Sequence, residues 1–239
     1  MLYYKIDSLF LFNQILYITN KMKVLVFDTE TTGLPTERNA SISDLKAWPY
    51  IVQLSYILYD VDEKKIIKCQ DHIIKIDPSV EITEGSIAIH GITPTTCQRK
   101  GIPIKEALME FNKHLEMADR IVGHNVSFDK KMVMVECFRN QMKQQFTVNY
   151  VRKSECCTMK YFTDACAIEK ISKEGKPYFK FPTLTELHYH FFKVNPKSIH
   201  DAMADVLICL RCYAYGLHKQ DITKEGCSKT KELYGLYCL

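Results

Sequence analysis

The 239-residue sequence predicts one α/β domain: a central mixed five-stranded sheet, its first three strands antiparallel, flanked by helices. Three apolar, β-branched runs joined by turn signals come first. Segments with apolar residues at helical spacing follow, broken by short strand-like stretches. An apolar content of 46% over this length supports one sizeable core and hardly two full domains.

The first strand is KVLVFD. After a polar connection of about a dozen residues, PYIVQLSYILYD supplies the second, and VDEKK turns the chain into the third, IIKCQDHIIKI. The next segment, EITEGSIAIHGIT, predicts a short helix ending at Gly91. In PIKEALMEFNKHLEMA, Ile104, Ala107, Leu108, Phe111 and Leu115 mark one face of a longer helix. That helix leads to the strand DRIVG. Asn125 or Ser127 then caps a helix through Phe138, and ECCTMKYFTD predicts a strand or turn running into another helix. Thr183 and Glu186 have capping-box spacing ahead of TLTELHYHFF, and the last clear helix covers about Ala202–Leu217.

At the N-terminus, the apolar run from Leu9 to Ile18 is interrupted by Asn13 and Gln14, is too short to span a bilayer and lacks a small-residue cleavage site. Residues 1–21 therefore read as an N-terminal extension, or alternatively a docked amphipathic helix, with the domain starting near Met22. The last stretch, 219–239, is polar with aromatic residues at its end. It reads as a C-terminal tail, with a short helix, a polymerase-binding segment and a disordered end as the alternatives.

Lys and Arg number 32 against 28 Asp and Glu, a balance of +4 that permits contact with a polyanion without demanding it. Residues 139–180 carry more, with nine basic groups against four acidic. Tyr150, Tyr161, Phe162, Tyr178 and Phe179 are interleaved, a mixture suited to phosphates and stacked bases, or simply a solvated loop region. The ten cysteines are scattered through apolar and helical stretches, which fits reduced thiols in a cytoplasmic or nuclear, not secreted, protein. Cys209 and Cys212 have no second pair to complete four tetrahedral ligands, so core packing is their expected role.

Asp28 and Glu30 lie two residues apart at the end of the first strand, so both side chains leave the same face. Two carboxylates held together repel unless cations sit between them, and an all-oxygen ligand set favours magnesium or manganese. The string continues as TTGLP, with two hydroxyls and a glycine. Two further motifs follow in order: GHNVSFD, carrying Asp129, and HDAMADV, with His200 five residues before Asp205.

FDTETTGLP, HNxxFD and HDAxxD in this order resemble the DEDDh 3′→5′ exonucleases of the RNase H-like superfamily, those related to the proofreading epsilon subunit of bacterial DNA polymerase III. The likeness covers roughly residues 22–218 and is specific at the three motifs; 36–48 and 142–182 are insertions with no counterpart. It implies an RNase H-like exonuclease fold, two Mg2+ (or Mn2+) ions, and Asp28, Glu30, Asp129 and Asp205 as metal ligands. Asp28 is the bridging ligand, and Asp129 supports the second ion directly or through water. His200 is the implied general base for attack of water on the terminal phosphodiester, with a nucleoside 5′-monophosphate as product.

The same likeness maps terminal-nucleotide contacts onto the backbone at Thr31 and Gly33 and onto Leu34 as an apolar wedge. It offers His90, in IHGIT, as a stacking or sugar contact, although a helix C-cap reading next to Gly91 fits equally. Asn125 and Phe128 orient the second motif. The expected partner is a DNA 3′ end, RNA being the alternative, with a DNA polymerase as a second candidate partner and no membrane. The ETTG form resembles the epsilon subunit more than the EMTG form of oligoribonucleases. A non-catalytic nucleic-acid-binding or polymerase-docking module on the same scaffold is the competing reading; the intact set of four carboxylates plus His200 argues against it, because each is a buried cost once metal binding no longer matters.

Overall fold

The computed structural model describes residues 21–37, 39–197 and 200–238. Most of the expected N-terminal extension, residues 1–20, lies outside them.

The chain opens with β1 (Lys23–Thr31), a one-turn 3-10 helix (Leu45–Ala47), β2 (Ile51–Asp60) and β3 (Lys65–Lys75). Helices α1 (Glu84–His90) and α2 (Pro94–Lys100), strand β4 (Ile102–Pro103), helix α3 (Ile104–Met117), strand β5 (Arg120–Gly123) and helix α4 (Val126–Arg139) follow. The expected insertion contains β6 (Thr147–Val148), β7 (Val151–Arg152), β8 (Ser154–Cys157), two single-turn helices α5 (Thr158–Tyr161) and α6 (Thr163–Cys166), β9 (Glu169–Ile171) and β10 (Pro177–Phe179). The chain closes with α7 (Leu184–Phe192), α8 (Ala202–His218) and α9 (Ser228–Cys238).

The main sheet has the order β4-β3-β2-β1-β5-β8. β1, β2 and β3 are antiparallel as expected, while β5 runs parallel to β1 and β8 parallel to β5. There are six strands, not five. The addition is β4, two residues lying parallel to the end of β3, too short to leave a periodic signal.

Strand alternation sorts the sheet into two cores. Val24 and Val26 of β1 and Ile57 and Tyr59 of β2 face α8, burying Met203, Val206, Leu207 and Leu210. Leu25 and Phe27 of β1, with Leu54, Tyr56 and Leu58 of β2, face the opposite way onto Leu108, Phe111 and Leu115 of α3 and Met132 and Val133 of α4. Phe27 meets Phe111 edge-on at 5.3 Å between ring centroids. Both faces being covered, all ten residues of β2 are buried, which is why that run is nearly continuous in apolar side chains.

Several local signals act as their chemistry dictates. α1 ends on Gly91 at φ 71°, a left-handed cap that glycine adopts without a Cβ clash. Thr183 and Glu186 form the full capping box of α7. Asn125 occupies the N-cap position of α4, but at φ 66° its side chain makes no capping hydrogen bond, and Ser127 lies inside the helix. The capping role expected of either residue is therefore not played.

α2 was not anticipated, although Thr93 caps it and Pro94 opens it; only Cys97 of its seven residues is buried, too little for a readable apolar face. Most of 219–239, read as a tail, forms α9, with Thr230, Tyr234 and Cys238 buried against α8 and β3. Tyr234 joins a buried polar network there: its hydroxyl meets His188 Nε2 at 2.8 Å and accepts from Arg211 at 3.1 Å, and Arg211 also pairs with both carboxylate oxygens of Asp221. All ten cysteines are free thiols, and Cys209 and Cys212 are buried on α8. Among the described residues no helix is long and apolar enough to cross a membrane.

Candidate active site

Asp28 and Glu30 continue the face of β1 that carries Val24 and Val26, so they emerge beyond the apolar core toward the first turn of α8. Asp205 sits in that turn. One carboxylate oxygen from each of Asp28, Glu30 and Asp205 lies within 4.8 Å of the others. Asp129, in the first turn of α4, is buried and stands outside this group of three. Its Oδ1 accepts from the Thr29 hydroxyl at 2.8 Å and from the Thr29 amide at 3.1 Å, which ties α4 to the strand between the other two acids.

The electrostatics are those of crowded anions. Burial, then repulsion from Asp129, Asp205 and Glu30, holds Asp28 well above the usual carboxylate range. Burial and then Asp205 and Asp129 push Glu30 up to about 8. Asp129 is raised by burial to about 7 despite the hydrogen bonds from Thr29, and Asp205 by burial to about 7 although the His200 backbone donates to it. Among the described residues none of the four takes part in an ion pair. Four acids with no compensating side-chain cation among the described residues, three of them with oxygens within 4.8 Å of one another, fit hard divalent cations.

His200 immediately precedes the N-cap of α8, with φ 71° and an exposed side chain. Asp201 is the cap, accepting from the amides of Met203 and Ala204, both at 3.1 Å. The turn is fastened to the sheet by residues the motifs do not include. Gln53 on β2, opposite Glu30, accepts from the Ala202 amide at 3.2 Å and donates to Asp201 at 3.3 Å and to Asp71 at 2.8 Å. Ser55, opposite Asp28, also donates to Asp71, at 2.7 Å, and Tyr237 of α9 reaches Asp71 at 3.4 Å. The readable signal was two polar residues two apart in a strand whose remaining residues, the terminal Asp60 apart, are apolar.

The remaining expected contacts separate. Leu34 is exposed at 82%, as a wedge would be. The Thr31 hydroxyl is used on the Gly33 carbonyl at 2.7 Å. His90 spends both ring nitrogens inside the protein, Nδ1 accepting from the Ile92 amide at 3.0 Å and Nε2 donating to the Thr31 carbonyl at 3.2 Å. A sugar hydrogen bond is thereby spent, and only its ring face is left. Asn125 is exposed beside Phe128 along a groove. His124, which the sequence reading passed over, bridges Thr158 and the Pro182 carbonyl, both at 3.0 Å; burial depresses it to about 4, so it is a neutral latch.

Comparison with known proteins agrees with this fold. Ribonuclease T of Marinobacter nauticus is 24% identical over 131 residues, covering 50% of this chain and 55% of that protein. The fold is that of E. coli exonuclease I: the structure with a dA16 oligonucleotide aligns at TM-score 0.59 and 20% identity, over 90% of this chain and 42% of that one, and the apo structure at 0.59 and 19%, over 91% and 44%. The chain thus spans less than half of exonuclease I and about half of the ribonuclease T. The exonuclease family model, RNase_T, matches residues 25–213, which takes in all three acidic motifs, and the chain belongs to that family.

Proposed function

We propose that the protein is a metal-dependent 3′→5′ exonuclease that removes nucleoside 5′-monophosphates from single-stranded or frayed ends, with DNA as its polymer. The observation that carries this is the convergence of Asp28, Glu30 and Asp205 within 4.8 Å, with no cationic side chain paired to them among the described residues. Membership in the exonuclease family supports it, and the exonuclease I structures with dA16 and dT13 oligonucleotides favour a single strand.

In this reading Asp28, Glu30 and Asp205 hold divalent cations, magnesium or manganese, with Asp129 completing the site from α4. Such cations, when bound, make water a stronger acid and neutralise charge building on the phosphodiester. His200, exposed in the turn just before the N-cap of α8, takes the proton from the attacking water as neutral imidazole. Thr29 fixes the Asp129 carboxylate, and Gln53 and Asp201 fix the turn that carries both His200 and Asp205. The backbone at Thr31 and Gly33, with Leu34 and Asn125, holds the terminal nucleotide.

The test uses matched DNA and RNA single strands labelled at the 5′ end, incubated with magnesium, manganese or chelator. The expected result is a ladder shortened stepwise from the 3′ end, dependent on metal and faster on DNA. Internal cuts, or no cutting with either metal, would overturn the reading, and faster trimming of RNA would reassign the polymer.

A further inference from the structure

His200 stands on the connection between α7 and α8, where Lys193, Val194, Asn195, Lys197 and His200 are all exposed. An exposed connection keeps one shape only where its polar groups are tied to something rigid. Three fastenings among the described residues lead to α9. At the start, His188 Nδ1 donates to the Val194 carbonyl at 2.8 Å while its Nε2 accepts from the Tyr234 hydroxyl at 2.8 Å. In the middle, the Lys197 amide donates to the Cys238 carbonyl at 3.3 Å. At the end, the Tyr237 hydroxyl donates to Asp71 at 3.4 Å, and Gln53 donates to the same carboxylate while it holds both Asp201 and the Ala202 amide.

Tyr234, Tyr237 and Cys238 are spaced i, i+3, i+4, so the three contacts leave one face of the helix. Cys238 is buried, its thiol 3.8 Å from the Ala204 carbonyl, beside Asp205 in the first turn of α8. The other end of α9 is anchored away from the site. There the Cys227 amide donates to the Lys64 carbonyl at 3.2 Å, in the β2–β3 turn, and Lys64 pairs with Glu225 at 2.5 Å. Eleven helical residues span about 16 Å, so α9 is a strut from that turn to the one carrying His200 and Asp205. It lies wholly beyond residue 213, where the family match ends.

We infer that α9 positions the general base: Tyr234, through His188, and Tyr237, through Asp71 and Gln53, are positioning residues that fix where His200 stands relative to Asp205. This rests on the role proposed for His200 and goes beyond it, making turnover depend on a helix outside the acidic cluster. A base works only within hydrogen-bond reach of its water, and misplacement by about 1 Å costs as much as about 10²-fold in rate. The two hydroxyls should therefore matter to kcat and little to KM, since neither belongs to the residues assigned to the terminal nucleotide.

The experiment is a double-mutant cycle on the full chain, with a 5′-labelled single strand and magnesium. Tyr234→Phe with Tyr237→Phe removes two hydroxyls and keeps both rings; kcat should fall about tenfold with KM within about twofold of the parent. In a His200→Ala background the same pair should change kcat by less than about twofold, because the base it positions is already gone. Tyr237→Phe alone removes only a half-buried hydroxyl and should show the same pattern at about threefold, which keeps the test open if the pair unfolds. Amide exchange at Lys197, followed by NMR in chelator, should quicken about tenfold in the pair. Unchanged kcat, equal slowing of folded protein in both backgrounds, or Lys197 exchange no faster than in the parent would overturn the inference. A parent that never hydrolyses with metal would sink the exonuclease reading, and the exchange comparison would still decide whether α9 fastens the connection.

Discussion

Removing one negative charge from the acidic cluster should stabilise the protein without metal and disable it with metal. Glu30→Gln is the cleanest case. Glu30 stands at about 8 in the fold against an ordinary 4.5, so the folded state favours the protonated form. That contribution to stability is fully present below pH 4.5 and is lost as pH rises through about 8. Each pH unit corresponds to about 1.4 kcal/mol, which sets a ceiling of about 5 kcal/mol for the ionised residue above pH 8. The side chain is partly exposed, and Asp28, Asp129 and Asp205 ionise over overlapping pH, so removing one charge relieves about 2 kcal/mol. For a domain of this length that is a gain in melting temperature of about 4–8 °C. Thermal denaturation in chelator should show the variant matching the parent near pH 5 and exceeding it near pH 9. Saturating magnesium should reverse the order, since a ligand at 100 times its Kd adds about 2.7 kcal/mol to a parent that binds it. Equal melting temperatures for both proteins at both pH values would refute the mutual repulsion on which the metal site is argued.

Other consequences are as direct. His200→Ala should slow hydrolysis by about 10²–10⁴ while calorimetric binding of Mn2+ stays near that of the parent; turnover at the parental rate near pH 8 would remove His200 as the base. Gln53→Ala leaves the Ala202 amide and Asp71 short of a partner and should cost about 1–3 kcal/mol in urea denaturation, with a fall in kcat as the Asp205 turn loosens. Loss of stability with kcat intact would confine Gln53 to folding. Tyr234→Ala empties a buried site under α9 and strips a partner from Arg211 and His188, for about 3–5 kcal/mol. Unaltered stability would mean α9 is an appendage after all.

What could be read from sequence was whatever local chemistry determines. The alternation in KVLVFD and PYIVQLSYILYD places each side chain on a core, and the same alternation puts Asp28 and Glu30 together at the strand end. The capping box at Thr183 and the glycine stop at Gly91 are decided within four residues. The unreadable parts depend on contacts distant in sequence. Gln53 meets Asp201 across 148 positions, and the Pro182 carbonyl meets His124 across 58. The polar pair Gln53 and Ser55 can be read within its strand, but the partners of Gln53 and His124 cannot, so the clamp on the His200 turn and the latch on the Pro182 carbonyl emerge only once the chain is folded. The C-terminal helix was one of three alternatives and could not be chosen for a related reason: its buried residues, Thr230, Tyr234 and Cys238, are too few and too mixed to form an apolar stripe.

Anomalous diffraction from crystals grown with manganese would probe the metal centre without reference to any substrate. Strong peaks bounded by the carboxylates of Asp28, Glu30 and Asp205, absent from an Asp28→Asn crystal grown the same way, are the predicted result. Manganese bound elsewhere, or those carboxylates remaining metal-free at saturating concentration near pH 8, would contradict it.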